Sequence, residues 1–435
     1  MVGIVQGGYP HLPHPVAVPQ ASFHECLPAV IKHSLPMPAF RHERFGKPQV
    51  LAGLLLLVFV GECAWLLAHS APNLVSPEDA VRVQEGLEQW HGHGIAGTPA
   101  MQRDISLDPA QGNDYDPDHS PLWYLIGSAP VAVLRVPPGS ALGLWLTHSP
   151  YVLFGVLLGA SVWYVSRRLY GNAGGYIALA LYCFSPAVVR SSVLWLAPPD
   201  IAGAGGTFGA VFTAIAVSHT LYAPREVVLW NWRRIVLLGI SLALAVGSQF
   251  SLALVIPVLL AFMFYLAPTR RLATLVILAA ASAVGLGLLF AAYFFHAGLF
   301  WQSMRSSRLL TVSAAALGMK GAYLQALKEL AASGPVLVVL APASLVTYLL
   351  WRRCRYFGNS APLLMALLFL ALRAASPHDP DSVFSLIAVV FLFVFVAGIF
   401  ADLLETSSRE LTAAVLTGLL AANALWNLIG LGAIR

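Results

Sequence analysis

VLAGLLLLVFVGECAWLLAH, residues 50–69, is a run of twenty residues with one charged side chain, Glu62. At about 1.5 Å per residue it spans about 30 Å as a helix, the thickness of a bilayer's hydrocarbon core. Further apolar blocks follow at about 149–166, 172–189, 200–218, 235–249, 251–267, 272–296, 334–351, 360–373, 383–401 and 411–430. Hydrocarbon offers no hydrogen-bonding partners, so each block must satisfy its own backbone and forms a helix. The alternating pattern of an outer-membrane barrel is absent. The expected fold class is an all-α polytopic membrane protein of about eleven transmembrane helices.

Composition agrees. Of 435 residues, 58% are hydrophobic and 10% charged, and mean hydropathy is +0.74. A soluble domain is nearer half apolar and a quarter charged. The formal charge of +5 does not point to nucleic acid, because the arginines cluster between apolar runs as the positive-inside rule expects. Cys26, Cys63, Cys183 and Cys354 show neither zinc spacing nor a disulfide framework. Residues 1–49 are rich in Pro and His and lack the apolar centre of a signal peptide. They read as a poorly ordered cytoplasmic tail, and the spacing of His11, His14, His24 and His33 suits no metal site.

Topology follows from charge. Arg41, Arg44 and Lys47 precede the first span and place the N-terminus inside. The segment 121–136 is apolar but only about 22 Å long as a helix, and it contains Pro130. If it lies in the interface without crossing, Arg167-Arg168, Arg225 with Arg233-Arg234, Arg270-Arg271 and Arg352-Arg353 with Arg355 all fall inside. If it crosses, every doublet falls outside. The first assignment satisfies the charge rule throughout, and it puts Trp123 and Tyr124 at the headgroup level. The expected organisation is a tail (1–49), a first helix (50–69), a first outer loop with an interfacial helix (70–148), a core (149–296), a second outer loop (297–333) and C-terminal helices (334–435).

Chemistry is expected at the outer face. The first outer loop carries Glu78, Asp79, Glu85, Glu88, Asp104, Asp108, Asp114, Asp116 and Asp118. Acids near its two ends are held against the bilayer, where burial can raise a carboxyl toward the range of a useful base. Asp200 follows Pro198-Pro199 and opens a helix. It can cap that helix, catalyse, or do both, since a cap fixes the carboxylate's position. The stretch 114–119, Asp-Tyr-Asp-Pro-Asp-His, is not an EF-hand. A divalent metal ion between Asp118, His119 and Asp200 is one reading, and a Pro- and Asp-rich turn is the other. Outer-side cations are Arg190, Arg305, Arg308, Lys320 and Lys328. Arg suits phosphate, and Arg305 and Arg308 share a face if helical. Glu62, inside a span, is a functional candidate by position.

These features in this order resemble the GT-C glycosyltransferases, nearest the branch of the protein O-mannosyltransferases and the lipid A aminoarabinose transferase. The residues that carry the resemblance are Ser76-Pro77-Glu78-Asp79 with Glu85-Gly86-Leu87, then His119-Ser120-Pro121-Leu122-Trp123-Tyr124, Arg167-Arg168-Leu169-Tyr170-Gly171, Ser185-Pro186 and Pro199-Asp200. The resemblance implies a multi-pass enzyme of a bacterial cytoplasmic membrane, or of the endoplasmic reticulum membrane in a eukaryote. It implies transfer of a sugar from a polyprenyl-phosphate carrier to a lipid, glycan or protein hydroxyl on the outer face. It further implies Asp79 or Glu78 as the base, Asp200 as the second acid, and Arg190, Arg305 and Arg308 at the donor phosphate. The sequence departs from the family in its Glu-Asp order at 78–79, in Ser120 where Pro is usual, and in Gln249 where a phosphate-holding Lys is common. No soluble domain is expected after the last span. The competing classes are a transporter or flippase, which calls for polar groups or broken helices at mid-membrane, and a non-catalytic membrane subunit. Most spans here are clean apolar runs, which favours interfacial chemistry.

Overall fold

The computed structural model describes residues 47–74, 77–91, 120–193, 200–222, 232–306, 315, 318, 320–376, 382–406 and 409–432. Among them the α-helices are α1 (Lys47–Leu74), α2 (Pro77–Trp90), α3 (Leu122–Leu134), α4 (Ala141–Cys183), α5 (Pro186–Ser191), α6 (Asp200–Thr220), α7 (Trp232–Ser248), α8 (Val255–Leu266), α9 (Arg271–Ala292), α10 (Ala297–Ser306), α11 (Lys320–Ser333), α12 (Leu337–Leu350), α13 (Phe357–Ala375), α14 (Ser382–Leu404) and α15 (Arg409–Gly432).

A helix that is apolar all round has no face suited to water and belongs inside. α14 is that helix: every residue from Val383 to Ala401 is buried, and it touches α4, α6, α11, α12, α13 and α15. It is the axis of the bundle. α15 is its opposite, with Leu411, Leu425, Trp426 and Ile429 all exposed as a lipid-facing helix requires.

The 43 residues of α4 would reach about 64 Å if straight, twice the hydrocarbon thickness. They do not run straight. Gly171 has φ 75° and ψ −172°, a conformation open in practice to glycine alone. The chain folds back there: Tyr182 Oη donates to the Gly155 carbonyl at 2.5 Å, and a methyl placed on Gly159 would sit 2.7 Å from the Tyr182 ring. α1 lies against the first arm in the opposite direction. Phe59 meets Gly155 and Leu56 meets Gly159.

α6 and α7 also run antiparallel at very close range. Gly203 faces Ser248, Gly206 faces Ala245 and Gly209 faces Ser241. α7 then meets α9 through Gly239 and Gly285. Small residues let backbones approach where lipid gives side chains no reason to associate.

Among the described residues seven helices are long and apolar enough to cross a membrane, or eight if α11 and α12, bent by 109°, count as one broken span. This is fewer than the eleven expected from the sequence. α4 makes one of these although it is broken at Gly171, and Phe250–Leu266 and the 17-residue α7 are shorter than a full span. The expected interfacial segment is α3, thirteen residues ending at a left-handed Arg135. Trp123 on it turns inward and is enclosed by protein: it is 1% exposed, its ring 5.3 Å from that of Phe154 and 6.2 Å from that of Tyr151.

The contacts sort the chain into two ends. Tyr170 Oη donates to the Gly358 carbonyl at 2.6 Å, the Tyr265 and Phe357 rings stack at 5.9 Å, and Thr269 bonds Tyr222. Arg167-Arg168, Arg233-Arg234, Arg270-Arg271 and Arg352-Arg353 therefore share one end of the bundle. Asp200, Gln249, Ser120, Ser333 and Arg373 lie toward the other. The first may be called the arginine end and the second the Asp200 end.

Close packing at Gly206 gives a direct test. A methyl there would run into the Ala245 amide and sit 2.7 Å from the Ser241 carbonyl. Backbone cannot rotate away, so Gly206→Ala is expected to cost about 1–3 kcal/mol and to lower the unfolding temperature of the detergent-solubilised protein. Gly287→Ala, with open space around it, serves as control and should leave that temperature unchanged or slightly raised. Equal behaviour of the two variants would refute the packing argument.

Candidate functional site at the Asp200 end

Asp200 is the first residue of α6 and is 3% exposed. An acid there meets unsatisfied backbone N–H groups and the positive end of the helix dipole. The capping and catalytic readings thus remain compatible. Three residues on, Gly203 presses against Ser248, Leu252 and Val383. Asp200 shares that face by spacing, so it stands beside the end of α7 and the start of α14. Gln249, buried and in extended backbone, links α7 to the 3-10 turn at Phe250–Leu254.

The first loop returns to the membrane at the same place. Ser120 N–H donates to the Gly247 carbonyl at 2.9 Å, and Leu122 packs on Gly247. α3 in turn holds α2. Gly86 sits against the Tyr124 carbonyl and Ser128 with no room for a side chain, and Trp90 Nε1 donates to the Leu125 carbonyl at 3.0 Å. The first-turn positions of α2 are Glu78 and Asp79. Their side chains, like Asp118 and His119, lie outside the described residues. Ser120 nevertheless fixes where the loop ends: one residue after His119, against Gly247 and near Asp200.

Of the expected metal ligands, Asp118 and His119 lie outside the described residues. Among the described residues no three of His, Cys, Asp and Glu come together.

The expected phosphate ligands sit on different elements. Arg190 is exposed at the last turn of α5, a short helix tied to α11 because the preceding Ser185 donates to the Ser333 carbonyl at 2.6 Å. Arg305 is exposed on α10, its guanidinium 5.8 Å from the centre of the Trp301 ring. Arg308 lies outside the described residues.

Two polar clusters bear on the reading of charged residues in spans. Glu62 is buried and accepts a hydrogen bond from Asn427 Nδ2 at 2.8 Å. Asn423, one turn away, donates to the Phe184 carbonyl. These bonds fasten α15 to α1 and α4, a structural use of a residue flagged for function. The second cluster was not foreseen. Arg373, 6% exposed, grips Glu329 at 2.9 and 2.6 Å and also donates to the Ser376 carbonyl. Ser385 of α14 donates to the same carboxylate. The one available signal was an arginine closing the apolar run at 360–373.

No protein-family model matches the sequence, and no curated protein does. Solved structures match in fold. AglB, the archaeal oligosaccharyltransferase of Archaeoglobus fulgidus in complex with an inhibitory peptide and a dolichol-phosphate, gives a TM-score of 0.56 at 14% identity, over 87% of this chain and 55% of that one. ArnT of Cupriavidus metallidurans gives 0.57 in the apo state and 0.54 bound to undecaprenyl phosphate, at 13% identity, over 83% of this chain and 60% of that one. The chain thus spans between half and two thirds of the length of the structures it matches. At such identity the likeness concerns architecture: the chain has the GT-C fold.

Arg373 and Glu329 give a prediction of stability. Removing Glu329 leaves the buried guanidinium of Arg373 without its carboxylate, so Glu329→Met is expected to cost about 3–5 kcal/mol, while the double replacement Glu329→Met with Arg373→Met restores most of it. Thermal unfolding in detergent reads both. A double variant no more stable than the single one would show that the pair is not the source of the loss.

Proposed function

We propose that the chain is a membrane glycosyltransferase that moves a sugar from a polyprenyl-phosphate carrier to a hydroxyl acceptor at the Asp200 end of the bundle. The supporting observation is convergence: a buried acid opening α6, the pinned return of the first loop at Ser120 and the buried Gln249 come from distant parts of the chain and meet at one end. AglB and ArnT, which share the fold, bind dolichol-phosphate and undecaprenyl phosphate respectively.

The chemistry asks for little. The acceptor oxygen attacks the anomeric carbon, the bond from that carbon to the carrier phosphate breaks, and the phosphate leaves with the bonding pair. The acceptor's proton passes to a carboxylate, Asp79 or Glu78, with Asp200 orienting acceptor or base. A single displacement inverts the anomeric centre. The leaving phosphate needs a cation. Arg373 is already saturated by Glu329, which leaves Arg190 as the described cation best suited, with Arg308 beyond the described residues. Arg305 faces outward beside Trp301. If a divalent ion takes part, Asp118 and His119 with Asp200 would hold it. The positive-inside rule assigns the arginine end to the cytoplasm, so the Asp200 end faces outside.

Replacing the base by its amide keeps shape and removes proton transfer. Asp79→Asn or Glu78→Gln, whichever is the base, and Asp200→Asn are expected to lower transfer from polyprenyl-phosphate sugars by roughly a hundred- to ten-thousand-fold with folding intact. Arg190→Ala should weaken donor binding. Full activity in all the acid variants would remove this end from the chemistry.

Orientation is tested separately in intact cells. The described cysteines Cys63, Cys183 and Cys354 are buried, so with Cys26 replaced the labelling background is low. A cysteine placed in the 70–148 loop should react with an impermeant thiol reagent, and one beside Arg270 should not. The reverse pattern would invert the assignment of the two ends.

A further inference from the structure

The turn joining α9 to α10 holds two bulky residues in backbone that side chains rarely adopt: Phe294 at φ 49° and Phe295 at φ 61°. Among the described residues only Arg135 joins them as a non-glycine at positive φ. Such strain persists where the surroundings require it. Here it leaves both rings on the surface, Phe294 43% and Phe295 67% exposed.

α10 continues the same surface. Its inner side is fixed to the end of α9. Tyr293 Oη and Ser303 Oγ share a hydrogen bond at 2.7 Å, and the Phe300 ring meets those of Phe290 and Tyr293 at 5.4 and 5.3 Å. Its outer side carries Ala297, Trp301 and Arg305 at four-residue spacing, all exposed. The guanidinium of Arg305 stands over the Trp301 ring.

α9 completes a 25-residue candidate span, Pro268–Ala292, so its end places this surface at the edge of the hydrocarbon by length alone. Phenylalanine and tryptophan beside an arginine, on the outer face of a short amphipathic helix, match the boundary between acyl chains and headgroups.

We propose that Phe294, Phe295, Trp301 and Arg305 form a bilayer anchor that lays α10 in the membrane plane, with the rings at the acyl boundary and Arg305 on a phosphate of a surrounding phospholipid. The occupant is ordinary bilayer lipid, continuous with the lipid around α9. The inference does not depend on the proposed transfer reaction.

The test uses the full chain in phosphatidylcholine–phosphatidylglycerol bilayers without polyprenyl phosphate. A nitroxide on Ala297→Cys, with Cys26 replaced, leaves all four anchor residues in place. Power saturation should show the label accessible to oxygen and shielded from a water-soluble nickel chelate. Adding Phe295→Ser and Trp301→Ser should raise its exposure to the chelate several-fold. Three results would each overturn the proposal. Free access of the chelate would mean that the face is aqueous. Shielding from both reagents would mean that protein, such as a second copy of this chain, covers it. Shielding that appears only after undecaprenyl phosphate is added would assign the surface to the donor carrier.

Discussion

Apolar side chains gain little by leaving lipid for one another, and the structure depends on that constraint. In hydrocarbon, helices associate through close van der Waals packing and a few interhelical hydrogen bonds. Both are visible here. Gly155 and Gly159 admit α1 and the returning arm of α4; Gly203, Gly206 and Gly209 admit α7; Gly239 and Gly285 join α7 to α9. The hydrogen bonds then choose partners and register: Tyr182 to Gly155, Tyr170 to Gly358, Asn423 to Phe184 and Asn427 to Glu62. Each bond of this kind contributes on the order of 1 kcal/mol, so cohesion is spread over many contacts.

The same packing positions the candidate site. Asp200 opens α6 one turn before Gly203, which packs on Ser248, because the glycine face of α6 lets α7 approach closely. Ser120 reaches Gly247 because that glycine offers a carbonyl and, having no side chain, lets Ser120 and Leu122 pack close. Near that end, Arg373 and Glu329 draw α11 onto α13, and Ser385 extends the link to the axis helix. α11 is thereby tied to the same end of the bundle as Ser120.

The polytopic helical character was legible in the sequence because hydropathy is a local property, and the shared end of the arginine doublets because charge is counted segment by segment. Even the fold-back at Gly171 was signalled by Arg167-Arg168 just before it. Pairing between distant segments was not legible. Glu62 and its partner Asn427 are 365 residues apart, and Arg373 and Glu329 are 44 apart; nothing near either acid names its partner. The enclosure of Trp123 was not legible because an aromatic ring suits a headgroup layer and a protein interior equally well, and α4 supplied Tyr151 and Phe154 to enclose it. For Asp200 the sequence indicated a helix start, and the structure added its burial beside α7.

The burial of α14 has a consequence for synthesis. The chain is made from its N-terminus, yet the helix around which the others gather follows nearly all of them. Until Val383–Leu404 has entered the membrane, α4, α6 and α13 have no axis to close upon, and the surfaces they will turn toward it face lipid or a holding factor. Assembly is therefore a late, collective event. A ribosome paused before residue 382 would leave a set of inserted but uncommitted helices, a species for membrane quality control to recognise.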